Sequence, residues 1–198
     1  MNFLAHSHLS GDNPNVLFGN FVADDIKGKK FETYPQDIKT GILLHRQIDS
    51  FTDSHPLVKS STALVRHDFR KFSGVAVDIF YDHFLAANWS NYSNEELSSF
   101  VRMVYLNLSK KYYLLPPKHK RILPFMLAQN WLVGYANTKD LNRVFQGMDR
   151  RTNYISGMDR AVEVLLQNYD ELKSHFESFY PELQKFASNK LSELTRVE

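Results

Sequence analysis

GILLHRQIDSFTDSHP, residues 41–56, is the stretch on which the reading of the fold turns. His45 and Asp49 stand four apart, as do Asp49 and Asp53, with Ile42, Leu43, Leu44, Ile48 and Phe51 filling the intervals. At 3.6 residues per turn, that spacing stacks an imidazole and two carboxylates along one stripe of a helix whose other sides are apolar. Such a helix is expected to be buried, where unpaired charges cost several kcal/mol each. A metal ion, an ion-pair network, or a site combining both answers that cost. We read the stripe as a functional site.

Working outward, Tyr34-Pro35 opens this helix, and Pro56 begins another that runs to about Phe72, where Ser73-Gly74 breaks it. Upstream, Asn13 and Pro14 have the form of an N-cap and first helical residue. The helix they open leads to Asp24-Asp25 and is closed by Lys27-Gly28-Lys29-Lys30. Residues 2–10 fit either a short strand or a helical turn. Downstream, VAVDIFYDHFLAA (residues 75–87) sets Asp78, Asp82 and His83 in a second densely apolar helix, its two carboxylates again four apart. Ser93 and Glu96 have capping-box spacing and open a helix to about Lys110. Pro116-Pro117 starts an apolar helix ending near Gly134, and a shorter one follows Thr138-Lys139-Asp140 through Val144 and Phe145. From Asp159 to about Leu194 the pattern is helical, with an interruption at Pro181. Strand signals are few. The reading is an all-α, single-domain helical bundle over residues 1–198, with residues 159–198 a C-terminal helical segment packed on the rest.

Composition narrows the function. A formal charge of +2 gives no ground for nucleic-acid binding, and the absence of Cys excludes disulfides, thiolate catalysis and Cys-ligated zinc. The opening MNFLAHSHLSGDN lacks the form of a signal peptide, and no stretch approaches the roughly 18 apolar residues of a membrane span. A soluble, cytoplasmic protein is expected.

Each candidate residue has a plain alternative. His45 and Asp49 alone make an ordinary helix-surface pair. Asp78 and Asp82 on a second buried-looking helix weigh against that, because like charges four apart repel unless a cation lies between them. Without thiolates, the ions such oxygen and nitrogen donors suit are Mn²⁺, Mg²⁺, Fe²⁺ or Zn²⁺. Asp24 beside Asp25 reads equally well as a solvated helix end, and His6 and His8 as packed or surface residues. The run Lys118-His119-Lys120-Arg121 reads as an exposed helix start, and His67-Asp68 as surface.

Asn2-Phe3-Leu4-Ala5-His6, Gly19-Asn20-Phe21 with Asp24 and Lys27-Gly28, and Gly41-Ile42 with His45-Arg46, Ile48-Asp49 and Thr52-Asp53 resemble the acyl carrier protein phosphodiesterase family. Asp78 with Asp82-His83-Phe84-Leu85-Ala86, and Gln129 with Trp131-Leu132-Val133, extend the resemblance over most of the chain. It implies an HD-domain-like helical fold, a distant branch of the HD-type phosphohydrolases. The implied activity is Mn²⁺-favoured hydrolysis of holo acyl carrier protein to apo protein and 4′-phosphopantetheine, with Mg²⁺ or Fe²⁺ as other candidates for the ion. The usual adjacent His-Asp dyad occurs here only reversed, as Asp82-His83, so the site is ranked by local chemistry. Asp24, His45, Asp49, Asp78 and Asp82 are expected around the metal. His6 and His83 are expected to be a further ligand or the proton-transfer groups, and Lys27 and Arg46 to offset phosphate charge. The acidic carrier would be steered by Arg66, Arg70, Lys71 and Lys118–Arg121. A phosphohydrolase acting on a nucleotide or other small phosphate ester, and a non-catalytic carrier-binding module, are the alternatives. Oligomeric state is left open.

Overall fold

The computed structural model describes residues 1–153 and 155–196, with the side chain of Arg151 also left aside. Twelve α-helices and several 3₁₀ turns make up the described residues, which contain no strand. Asn2 caps α1 (Phe3–His8), settling the amino-terminal segment as helix. Asn13 Oδ1 accepts from the N–H groups of Asn15 and Val16 to open α2 (Pro14–Val22), as the Asn-Pro pair implies. A 3₁₀ turn at Ala23–Asp25 ends it, and Gly28 turns the chain at φ +57°.

The central helix α3 (Gln36–Ser54) buries Ile38, Ile42, Leu44, His45 and Ile48. Its approach to α2 is unusually close for a reason legible in two residues. A Cβ on Gly19 would lie 2.1 Å from the Ile38 carbonyl oxygen, and one on Gly41 would lie 2.1 Å from that of Val16. Any side chain at either position would force the two backbones apart, so the glycines set the spacing across which α2 and α3 exchange side-chain contacts.

The chain continues through α4 (Pro56–Leu64), α5 (Arg66–Phe69) and α6 (Ser73–Ala87). The expected helix to Phe72 is thus cut at Val65, and Ser73-Gly74 starts α6 instead of breaking a helix; Arg70 takes the turn at φ 51°. Next come α7 (Leu97–Lys110) and α8 (Pro117–Ala128). The Ser93/Glu96 capping box does not form: Glu96 itself occupies the cap position without a side-chain bond, and Ser93 Oγ accepts from Glu95 N–H. Asn130, in the left-handed region that Asn tolerates, separates α8 from α9 (Trp131–Gly134). Then follow α10 (Thr138–Arg151), α11 (Ala161–Gln167) and α12 (Tyr169–Thr195).

Pro181 sits inside α12 and does not interrupt it. The missing N–H costs one helical bond, but Phe179, Tyr180 and Leu183 on either side are fully buried against the core and hold the helix through it. One contiguous cluster of buried side chains, drawing on all twelve helices, forms the core. No described helix is long and apolar enough to cross a membrane.

Candidate metal centre

α2 carries one fully buried amide, Asn20, within the otherwise apolar run Val16–Val22. Its Nδ2 donates to the His6 carbonyl oxygen and to Ser10 Oγ, both at 2.9 Å, which fixes the amide's orientation. Oδ1 therefore faces the two imidazoles, 2.8 Å from Nδ1 of His6 and 3.1 Å from Nδ1 of His45. Both rings donate Nδ1–H to that one oxygen and stack at a centroid distance of 4.0 Å. Both Nε2 atoms consequently point the same way, towards Asp49.

Asp49 receives them with its two oxygens, Oδ1 at 3.1 Å from His6 Nε2 and Oδ2 at 3.0 Å from His45 Nε2. Asp24, on the 3₁₀ turn after α2, brings Oδ1 to 3.2 Å from the same His45 atom. His6 Nε2 is buried and makes no hydrogen bond. With Nδ1 protonated, it aims a lone pair at a carboxylate oxygen, an arrangement that is repulsive until a cation stands between them. Burial opposes charge on His45, but Asp24 and Asp49 outweigh it and raise its pKa to about 9. Burial and the charge on His45 lower that of His6. Although burial works against its charge, Asp49 is held well below the usual carboxylate range, chiefly by the hydrogen bond from His45, and the hydrogen bond from His45 lowers Asp24. Among the described residues, His6, His45 and Asp49 bring ligand atoms within 4.8 Å of one another, and Asp24 flanks them. Two imidazoles, two carboxylates and an orphaned nitrogen fit a divalent cation.

The cluster opens into a cavity of about 520 Å³, within the range of small-molecule sites. Asp24, His45, Asp49, Asp53 and Asp78 line its polar side, and Phe72, Val75, Ile122, Trp131, Val144 and Met148 its apolar side. Burial, then Asp78 and Asp49, raise the Asp53 carboxyl. Asp78 lies in the cavity but not among the clustered donors, its Oδ1 being 2.7 Å from the Met1 amine.

The remaining expected site residues lie elsewhere. Asp82 is fully buried, and both oxygens are taken by backbone N–H groups of Asn2 (3.2 Å), Leu4 (2.8 Å) and Ala5 (3.2 Å) at the start of α1. It braces the helix carrying His6, and burial pushes its carboxyl up to about 7. The two nitrogens of His83 meet the Tyr135 carbonyl oxygen and the Tyr169 hydroxyl, and although Tyr135 lines the cavity, His83 itself does not. Arg46 turns from the cavity to donate to the carbonyls of Ile26 and Gly28, both at 2.9 Å, with its guanidinium over Phe31. Lys27 is exposed and does not line the cavity, whereas Lys118 does. His119 is buried, contrary to its reading as part of an exposed helix start. Asn20 was missed as a site residue, although a lone amide in the apolar run Val16–Val22 is itself the signal: it needs buried partners.

The fold and site define an all-helical protein with a buried histidine–carboxylate cluster opening into a cavity of mixed polar and apolar lining. Comparison with known proteins narrows this. The family model described as acyl carrier protein phosphodiesterase matches residues 1–183. A protein named acyl carrier protein phosphodiesterase from Photorhabdus laumondii is 34% identical over 191 residues, spanning 96% of each chain. Proteins of the same name from Enterobacter sp. and Yersinia pestis are 34% and 31% identical, each over 96% of this chain and 99% of their own. No solved structure matches significantly. The chain belongs to the acyl carrier protein phosphodiesterase family.

Proposed function

We propose that this protein hydrolyses holo acyl carrier protein to the apo protein and 4′-phosphopantetheine, using a divalent cation held by His6, Asp24, His45 and Asp49. The observation that carries the metal is the shared Asn20 oxygen, which turns both Nε2 atoms onto Asp49 and leaves that of His6 without a hydrogen bond. The mixed imidazole and carboxylate set, without thiolate, suits Mn²⁺, Fe²⁺, Mg²⁺ or Zn²⁺, and the family resemblance favours Mn²⁺ among them. When bound, such an ion acidifies water and polarises a phosphoryl oxygen.

The chain's own residues supply the rest. Asn20 fixes the tautomer of both histidines, and Asp82 holds the start of the helix bearing His6. Asp53 stands one turn beyond Asp49 in the cavity with its proton affinity raised, and we assign it the return of a proton to the leaving serine oxygen. The apolar wall, including Phe72, Ile122 and Trp131, shields the reacting centre and packs the pantetheine arm. Lys118 at the lining offsets phosphate charge and favours an acidic carrier.

Intact-mass measurement of holo acyl carrier protein incubated with this protein and Mn²⁺ tests the reading. Loss of the phosphopantetheine mass, abolished by chelator, is expected. An unchanged holo mass with the metal demonstrably bound would reject this substrate in favour of another phosphate ester.

A further inference from the structure

Asp24 is the least anchored of the four donors, its side chain 61% exposed and, among the described residues, bonded to His45 alone. What positions it lies in its neighbours. The next residue, Asp25, sends Oδ2 to 2.9 Å from Nδ1 of His119 and Oδ1 to 3.5 Å from Lys118 Nζ. His119 is 1% exposed on α8, in ring contact with Phe3 and Phe21, and its Nε2 is buried without a partner. The ring therefore has one polar engagement, its Nδ1–H donated to Asp25, and rotating it away would leave a buried N–H unsatisfied. Just beyond, Arg46 of α3 grips the carbonyls of Ile26 and Gly28. The chain leaving Asp24 is thus pinned first from α8, through Asp25, and then from α3, through Ile26 and Gly28.

From this we infer that His119 and Asp25 are positioning residues: their hydrogen bond across the fold sets where the Asp24 carboxylate meets the cation. The same first turns of α8 place Lys118 and Ile122 on the cavity wall, so the pair ties the substrate-facing wall to the metal ligand. Neither side chain touches the cation or the substrate. Groups that orient a ligand without binding the ion typically govern 10- to 100-fold of metal affinity. The inference rests on the metal-centre reading above.

Mn²⁺ binding measured by electron paramagnetic resonance of the free ion, alongside thermal unfolding, tests it. Asp25→Ala, at a partly exposed position, keeps the His119 ring packed and the protein folded, lowers the melting temperature by a few degrees because the buried N–H loses its acceptor, and should weaken Mn²⁺ binding about tenfold. His119→Asn retains a donor near the Nδ1 position and should stay within about threefold of wild type, while His119→Ala should match Asp25→Ala. Wild-type Mn²⁺ affinity in folded Asp25→Ala would overturn the inference even if His119→Ala failed to fold. Failure of the wild-type protein to bind Mn²⁺ would instead overturn the metal-centre reading beneath it.

Discussion

His6 and His45, from helices far apart in the chain, lie stacked at 4.0 Å and give their Nδ1 protons to the same oxygen of Asn20. One amide thereby decides what two ligands present to the cavity. Asn20→Ala removes the shared acceptor and frees both rings to change tautomer and rotate. Mn²⁺ affinity should fall about 10- to 100-fold, and isothermal titration reads it. A folded Asn20→Ala protein with unchanged affinity would show that the rings are set by packing alone.

Asp49 and Asp82 are both buried-helix carboxylates in the sequence but do different work. Asp49→Ala deletes the carboxylate that faces both Nε2 atoms, so metal content after dialysis should drop to background while the fold persists. Asp82→Ala leaves the buried N–H groups of Leu4 and Ala5 and the partly buried one of Asn2 without an acceptor, costing about 3 kcal/mol or more. Urea unfolding and metal analysis on the two variants give opposite patterns if these roles hold.

Gly41→Ala tests the spacing of α2 and α3. The added Cβ would collide with the Val16 carbonyl oxygen at 2.1 Å, and the relief must separate Asn20 from His45. Stability should fall by roughly 3 kcal/mol and Mn²⁺ affinity with it. Loss of stability with affinity intact would mean that the helices yield elsewhere.

The helical class was legible because capping pairs and apolar spacing act locally: Asn13-Pro14 opened α2 and Pro56 opened α4 as read. Where tertiary packing prevailed, local signals misled. Pro181 stayed helical because its buried neighbours outweigh one lost hydrogen bond, and Asn130 cut an apolar helix that composition would have run on to Gly134. In the site, the four-residue spacing correctly placed His45 and Asp49 on one stripe, while an identical spacing in Asp78 and Asp82 brought neither to the cluster. Spacing fixes a helix face but not what the face meets, and α6 meets the start of α1. Asn20 carries no charge or motif, so only its burial and partners reveal it.

His8 sets a pH dependence separate from the metal centre. Burial lowers its pKa to about 4, against a backbone hydrogen bond to Tyr92, and its Nδ1 lies 2.7 Å from the Tyr180 hydroxyl. Because the folded pKa is below the unfolded 6.5, the unfolded chain binds the proton first. The stability is present above about pH 6.5 and is lost as pH falls towards 4, by roughly 2–3 kcal/mol. His8→Gln should flatten that part of the stability curve in denaturant unfolding; an equally steep fall would assign it to other groups.

The central claim is that His6 and His45 ligate the same ion. Pulsed electron paramagnetic resonance of the Mn²⁺-loaded protein, with ¹⁵N-labelled histidine, reads this directly. The account predicts coupling to two histidine nitrogens in the wild type and to one in each of His6→Gln and His45→Gln. Bound Mn²⁺ with no histidine coupling, or a signal unchanged in both variants, would contradict it.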